Sequence, residues 1–256
     1  MHAVTAPIEL KTLEAAFAAR EFFLAYQPIV TLQNGECVGA EALIRWRRGE
    51  AVLNASDFIA IADGTLLSGS LTYWVVDTVA SELGDFLATH SEAQIGINIP
   101  PEILGRGGLE YAAEKSGLRP LAKQVILEVT ERGVPDQLGI DALNRIPETG
   151  ARVALDDTSL SPANLALLLR CHFDLVKIAG TLVAQLGAGL PRPGWLGGLA
   201  ALLGTTKLVV IAEGVENDYQ AGVLRAAGVQ LAQGHLFSEG LSAKQFFRYY
   251  AAHRAH

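Results

Sequence analysis

Seven short apolar runs, each ending on or beside a polar side chain, set the frame for this chain. In order they are Cys37-Val-Gly-Ala-Glu41, Ile95-Gly-Ile-Asn98, Val125-Ile-Leu-Glu128, Val153-Ala-Leu-Asp156-Asp157, Leu175-Val-Lys177, Leu208-Val-Val-Ile-Ala-Glu213 and Leu231-Ala-Gln233. Successive polar ends lie 20 to 57 residues apart. That leaves room each time for a loop, a helix and the next strand, the rhythm of repeated βα units. In a parallel barrel all strand C-termini meet at one rim, so residues far apart in sequence converge on one pocket. The pocket expected here holds Glu41, Glu128, Asp156, Asp157 and Glu213 together. Five carboxylates cannot all stay ionised in one site without compensation, which makes divalent cations their natural partners.

Length fits one such barrel, since about 250 residues is typical of the (β/α)8 fold and the chain has 256, read here as one domain over 1–256. Half of the residues are hydrophobic and 18% are charged, enough apolar material for a large core. A net charge of −7 argues against an extended nucleic-acid polymer as ligand, because that calls for a basic stripe. A small anionic ligand held through metal is compatible with it. Cys37 and Cys171 are too few for a disulfide framework or a cysteine zinc site, and a reducing, cytoplasmic setting is the simpler expectation. Residues 1–11 lack the basic start and apolar stretch of a signal peptide. The most apolar stretch, 194–212, contains Lys207 and several glycines; it reads as a helix over 195–203, a turn and a buried strand over 208–212, with no direct membrane contact. A parent protein with a membrane anchor is compatible with this segment.

Elsewhere the pattern predicts helices over 10–20, from 56, and over 70–87, 141–147, 162–170, 217–227 and 242–252, with a strand over 23–32 entering the Gln33-Asn34-Gly35 turn. Pro100-Pro101, 105–108 and 187–194 read as loops.

At Glu41-Ala42-Leu43-Ile44-Arg45-Trp46 the chain resembles the EAL-domain family of cyclic di-GMP (c-di-GMP) phosphodiesterases. The resemblance runs over about 22–247. It is carried by further motifs in order: Tyr26-Gln27-Pro28-Ile29, Ile97-Asn98, Leu127-Glu128-Val129-Thr130-Glu131, Asp156-Asp157, Val176-Lys177-Ile178, Ala212-Glu213-Gly214-Val215-Glu216 and Gln233-Gly234. It implies a modified TIM barrel with one antiparallel strand, often dimeric, that hydrolyses one phosphodiester of c-di-GMP to linear pGpG with Mg2+ or Mn2+. A homodimer and a fused sensory domain are the partners to expect besides c-di-GMP.

Phosphodiester hydrolysis near neutral pH needs a hydroxide nucleophile and neutralisation of the reacting phosphate; two close divalent ions supply both and prefer oxygen ligands. By the resemblance, Glu41, Asn98, Glu128 and Asp156 hold one metal, and Asp156 bridges to a second shared with Asp157. Lys177 and Glu213 position and activate the attacking water, with Gln233 as a hydrogen-bond partner. Gln27, Leu43 and Arg45 contact the ligand, the guanidinium being suited to a phosphate oxygen. Glu131 steadies the loop after Asp157. Read alone, each carboxylate could equally cap a helix or sit in a solvated loop; His172 and His235 lack metal-ligand spacing, and Cys37 reads as a small core residue.

Two positions depart from the family pattern. After the paired aspartates the family usually continues Phe-Gly-Thr-Gly-Tyr-Ser, whereas this chain has Thr158-Ser159-Leu160-Ser161-Pro162-Ala163, losing the two glycines' φ freedom and gaining a stiff proline. Ala179 stands where the Lys-Ile-Asp motif would place an aspartate. The expectation is therefore a metal-dependent phosphodiesterase of reduced activity. Its alternatives are a c-di-GMP receptor that does not turn over and a protein-interaction module.

Overall fold

The computed structural model describes residues 7–130, 133, 135–158 and 162–254. Among the described residues nine strands form one sheet: β1 (Phe22–Thr31), β2 (Cys37–Arg48), β3 (Ala51–Asn54), β4 (Gln94–Ile99), β5 (Val125–Val129), β6 (Arg152–Thr158), β7 (Leu175–Ile178), β8 (Val209–Ala212) and β9 (Leu231–Ala232). Their order is β1-β9-β8-β7-β6-β5-β4-β2-β3, and β1 also pairs with β2. That last pairing closes an eight-stranded barrel and leaves β3 as an extra strand outside it. β1 is antiparallel to both of its barrel neighbours, while the other six barrel pairings are parallel. The antiparallel strand has a local cause: β1 and β2 are joined only by the turn through Gly35, whose φ of 74° lies in the left-handed region, and so short a connection forces a hairpin.

The helices are α1 (Leu10–Ala18), α2 (Ile59–Ala62), α3 (Leu66–Thr89), α4 (Gly108–Ser116), α5 (Gln137–Arg145), α6 (Pro162–Arg170), α7 (Gly180–Val183), α8 (Gly194–Thr205), α9 (Asp218–Ala226) and α10 (Ala243–Ala252). In α3 the buried Leu71, Val75, Val76, Val79, Leu83 and Phe86 recur every three or four residues and cover the barrel with one stripe. Tyr26 of β1 reaches through this layer between Phe246 and the Glu82 carboxylate, to which its hydroxyl donates at 2.8 Å. Among the described residues, no helix is long and apolar enough to cross a membrane. Both cysteines are free and buried.

Several boundaries differ from the sequence pattern. The helix expected from residue 56 is a single 3-10 turn, Ala55–Asp57, in a capping box with Asn54, followed by the four residues of α2; Gly64, at φ 70°, then breaks the run. α3 begins a turn earlier than residue 70 because the Thr65 hydroxyl caps it, accepting from the Leu67 amide. Asp136 likewise caps α5 from Gln137, so the helix ends where 141–147 was expected to be its middle. β3, α4 and α7 carry no expectation from the pattern; the loop expected over 105–108 holds through Gly107, and Gly108 opens α4.

Candidate active site

The inward-facing side chains of the barrel form two layers. The lower is apolar: Ile29, Ile126, Ala154, Leu175 and Ile211 pack on one another. Two residues further along the same strands, and hence on the same face, stand Glu128, Asp156, Lys177 and Glu213. β2 contributes Glu41 and β4 contributes Asn98, which lies opposite Glu128 in the parallel pairing. Gly96 makes room for this layer, because a Cβ there would overlap the Glu128 carboxylate.

At the centre is Lys177, 0% exposed. Its ammonium lies 2.9 Å from Glu41 Oε2, 2.9 Å from Glu128 Oε2, 2.9 Å from Asp156 Oδ1 and 2.8 Å from Glu213 Oε1. The contact to Asp156 is an ion pair by distance only, since that oxygen has no partner in hydrogen-bonding geometry. Asn98 Nδ2 donates to Glu41 Oε1 at 2.6 Å, and Gln233 Nε2 donates to Glu41 Oε2 at 2.6 Å and to Glu213 Oε1 at 3.1 Å. Burial would lower the Lys177 pKa, but Asp156, Glu128, Glu213 and Glu41 outweigh it and hold the ammonium well above its ordinary value. For Glu41 burial works upward, yet Lys177, Gln233 and Asn98 together keep it below the usual carboxylate value. Glu128 is held well above its usual value by burial and then by Glu41. Burial also raises Asp156, and it pushes Glu213 up to about 8. One lysine does not neutralise four carboxylates, so the cluster favours a second cation.

Among the described residues, no three Asp, Glu, His or Cys side chains are already set around one cation-sized point; the cation they share is the ammonium. The donor set nevertheless fits a hard divalent ion. It consists of oxygens, and Glu128 Oε1 is buried without a hydrogen-bond partner among the described residues.

Asp157 lies apart from this cluster. From Leu155 to Thr158 three steps along β6 match two along β7, from Val176 to Ile178, so one residue is extra. Asp157 takes that place at φ 45° and is exposed, while Asp156 stays buried. Both line a cavity of about 440 Å3 together with Glu41, Leu43 and Asn98. Lys177, Glu128, Glu213 and Gln233 do not line it; they form the buried layer joined to it through Glu41 and Asp156. Gln27 lies opposite Glu41 in the β1–β2 register and donates to the Ser238 carbonyl at 3.3 Å. Arg45, two residues past Leu43, is half-buried, and burial lowers its pKa. Glu131 lies outside the described residues, as do Ser159, Leu160 and Ser161. Ala179 is buried and occupies the N-cap position of α7 without a side-chain cap bond.

The far wall of the cavity carries no expectation from the sequence. Ser68 and Thr72 of α3, Asp63 and Thr130 line it, and all but Asp63 are buried. A signal exists for two of them: Ser68 and Thr72 are polar residues four apart within the apolar stripe of α3, the Thr72 hydroxyl donating back to the Ser68 carbonyl at 3.0 Å. Thr130 follows the strand end directly, and its buried hydroxyl has no partner among the described residues.

A family model for the EAL domain matches residues 10–240. The chain belongs to the EAL-domain family. It is 32% identical over 245 residues to the probable cyclic di-GMP phosphodiesterase PdeB of Escherichia coli, covering 94% of this chain and 47% of that protein. It is 30% identical over 249 residues to the cyclic di-GMP phosphodiesterase NbdA of Pseudomonas aeruginosa, covering 93% of this chain and 32% of that one. This EAL chain thus spans less than half the length of these relatives. Among solved structures it is similar to the PaMucR phosphodiesterase in complex with c-di-GMP, with a TM-score of 0.82, 27% identity and coverage of 93% of this chain and 98% of that one. The EAL enzyme Bd1971, solved with cAMP and cyclic-di-GMP bound, superposes with a TM-score of 0.82 at 26% identity, covering 94% of this chain and 67% of that one.

Proposed function

We propose that this EAL domain hydrolyses one phosphodiester of c-di-GMP to linear pGpG with Mg2+ or Mn2+. The observation that carries the reading is the complete acidic constellation around Lys177, opening through Glu41 and Asp156 into a cavity of about 440 Å3. Similarity to c-di-GMP phosphodiesterases supports the substrate. Glu41, Asn98, Glu128, Asp156 and Asp157 would hold the divalent ions, a pair by family resemblance, which when bound would neutralise phosphate charge and lower the pKa of water. Glu213, held 2.8 Å from the Lys177 ammonium, would take the proton of the attacking water once the bound ions favour its ionised form. Lys177 holds Glu213 and Glu41 in place by 2.8 and 2.9 Å contacts, and Gln233 fixes the same two carboxylates from the other side. Arg45 would take a phosphate oxygen as a bidentate donor, with Leu43 and Gln27 beside it against the ligand. Glu131 would anchor the loop after Asp157. The domain would act in the cytoplasm, fused to a sensory segment and paired with a second copy.

A second reading, a c-di-GMP receptor without turnover, is favoured by one observation: the acidic side chains converge on the ammonium rather than on a point three of them share. Liquid chromatography of c-di-GMP incubated with the protein and Mn2+ separates the two. Appearance of pGpG supports the phosphodiesterase, and saturable binding without product supports the receptor. Failure to bind c-di-GMP at all leaves only a protein-interaction role.

A further inference from the structure

Outside the barrel, where α3, α4 and α5 cover β4 and β5, lies a second cavity of about 200 Å3. Ile97 and Leu127 form part of its lining, both in the apolar layer between sheet and helices. Four alanines, Ala113, Ala122, Ala142 and Ala151, line it where longer side chains would fill the space. An apolar cavity of about 150 Å3 stays dry and takes up benzene, so this one has room for an aliphatic chain on the order of six to eight carbons.

The charged residues that line it are Glu110, Arg119 and Arg145. Arg119 already pairs with Glu114 at 3.2 Å. Arg145, exposed at the end of α5, has no ion-pair partner among the described residues. We propose that this cavity is a binding site for a medium-chain carboxylate, its aliphatic tail against Ile97 and Leu127 and its head on the Arg145 guanidinium. A guanidinium matches a carboxylate with two parallel hydrogen bonds, and the tail removes apolar surface from water. Side chains alternate across a strand, so Ile97 and Leu127 sit directly before Asn98 and Glu128 on the opposite face. An occupant would bear on the two strands that carry those site residues.

Calorimetry with octanoate, octan-1-ol and octylamine, each below its aggregation concentration, tests the assignment. One octanoate per chain is expected, with octanol weaker and octylamine weakest. Arg145→Gln should weaken octanoate about fivefold or more and leave octanol within about twofold, since a charge-assisted bond is lost but the tail site is kept. Ala142→Leu, which fills the cavity, should abolish binding of both. Should that variant fail to fold, methyl NMR of the unaltered protein decides: octanoate must shift Ile97 and Leu127 and spare Val210 of β8, across the barrel from β4. No saturable binding, octylamine binding tightest through Glu110, or methyl shifts elsewhere would each overturn the proposal.

Discussion

The two inward layers of the barrel lie two residues apart on the same strands and differ in almost every physical respect. Ile126, Ala154, Leu175 and Ile211 are a dry plug whose burial stabilises the fold. Glu128, Asp156, Lys177 and Glu213, one inward step further along, are ionisable groups removed from water and held by one another and by Glu41 and Gln233. Burial of four acids around one base lowers stability unless charges are balanced. The difference teaches that the lower layer makes the barrel and the upper layer uses its rigidity to hold groups that would otherwise take up water or protons.

The strongest way to break this comparison is to remove the shared cation. Lys177→Met should destabilise the domain by about 3–5 kcal/mol, the cost of stripping one partner from a buried pair, and should abolish turnover. The loss should be smaller at pH 5 than at pH 8, because the orphaned carboxylates can take up protons. Leu175→Ala in the lower layer should cost about 2–5 kcal/mol as a cavity, equally at both pH values. Urea unfolding of the two variants at pH 5 and 8 checks the contrast, which fails if both respond to pH alike.

Glu213→Gln should lower kcat about a hundredfold or more, the usual contribution of a positioned base. It leaves Gln233 and Lys177 an oxygen to bind, so c-di-GMP and Mn2+ should still bind. Calorimetry beside turnover assays decides; loss of Mn2+ binding would make Glu213 a ligand rather than a base.

A smaller effect is the pH dependence of the unaltered, metal-free domain. The folded pKa of Glu213, about 8, lies above its ordinary value of 4.5. Between those values the unfolded chain has released a proton that the folded chain still binds, so this group makes stability fall as pH rises. Glu41, shifted downward, contributes its stability above its ordinary value and does not offset that fall. The raised Lys177 stays charged throughout the window. Mn2+ favours the ionised carboxylates and should raise the melting temperature more at pH 8 than at pH 6. A shift independent of pH would mean that the ion binds elsewhere.

The smallest expected effect concerns Ala179. Its place at the N-cap of α7 gives an aspartate there a capping role, worth about 1 kcal/mol or roughly 2–4 °C in a domain of this size. Ala179→Asp should raise the melting temperature and move kcat little. A large rise in kcat would instead tie this position to Lys177.

The order of the strands and of the polar residues they carry was legible in the sequence, although Glu41 lies inside β2, which runs on to Arg48, rather than at a strand end. Alternation and strand length are local, and all seven polar ends from Glu41 to Gln233 meet at one end of the barrel as their spacing implied. The helices with strong stripes, such as α3 and α10, were legible for the same reason. Only the tertiary structure decided what depends on non-local neighbours. It placed Lys177 as the shared cation, since the distance between Lys177 and Glu41 spans 136 residues of chain. It set Asp157 outside the cluster, because a bulge is defined only by the strand paired beside it. It also made the cavity behind Ile97 and Leu127, where alanines from separate elements meet without filling the space between them. Local propensity can specify each strand and helix, but packing between them is fixed by contacts that no short window contains.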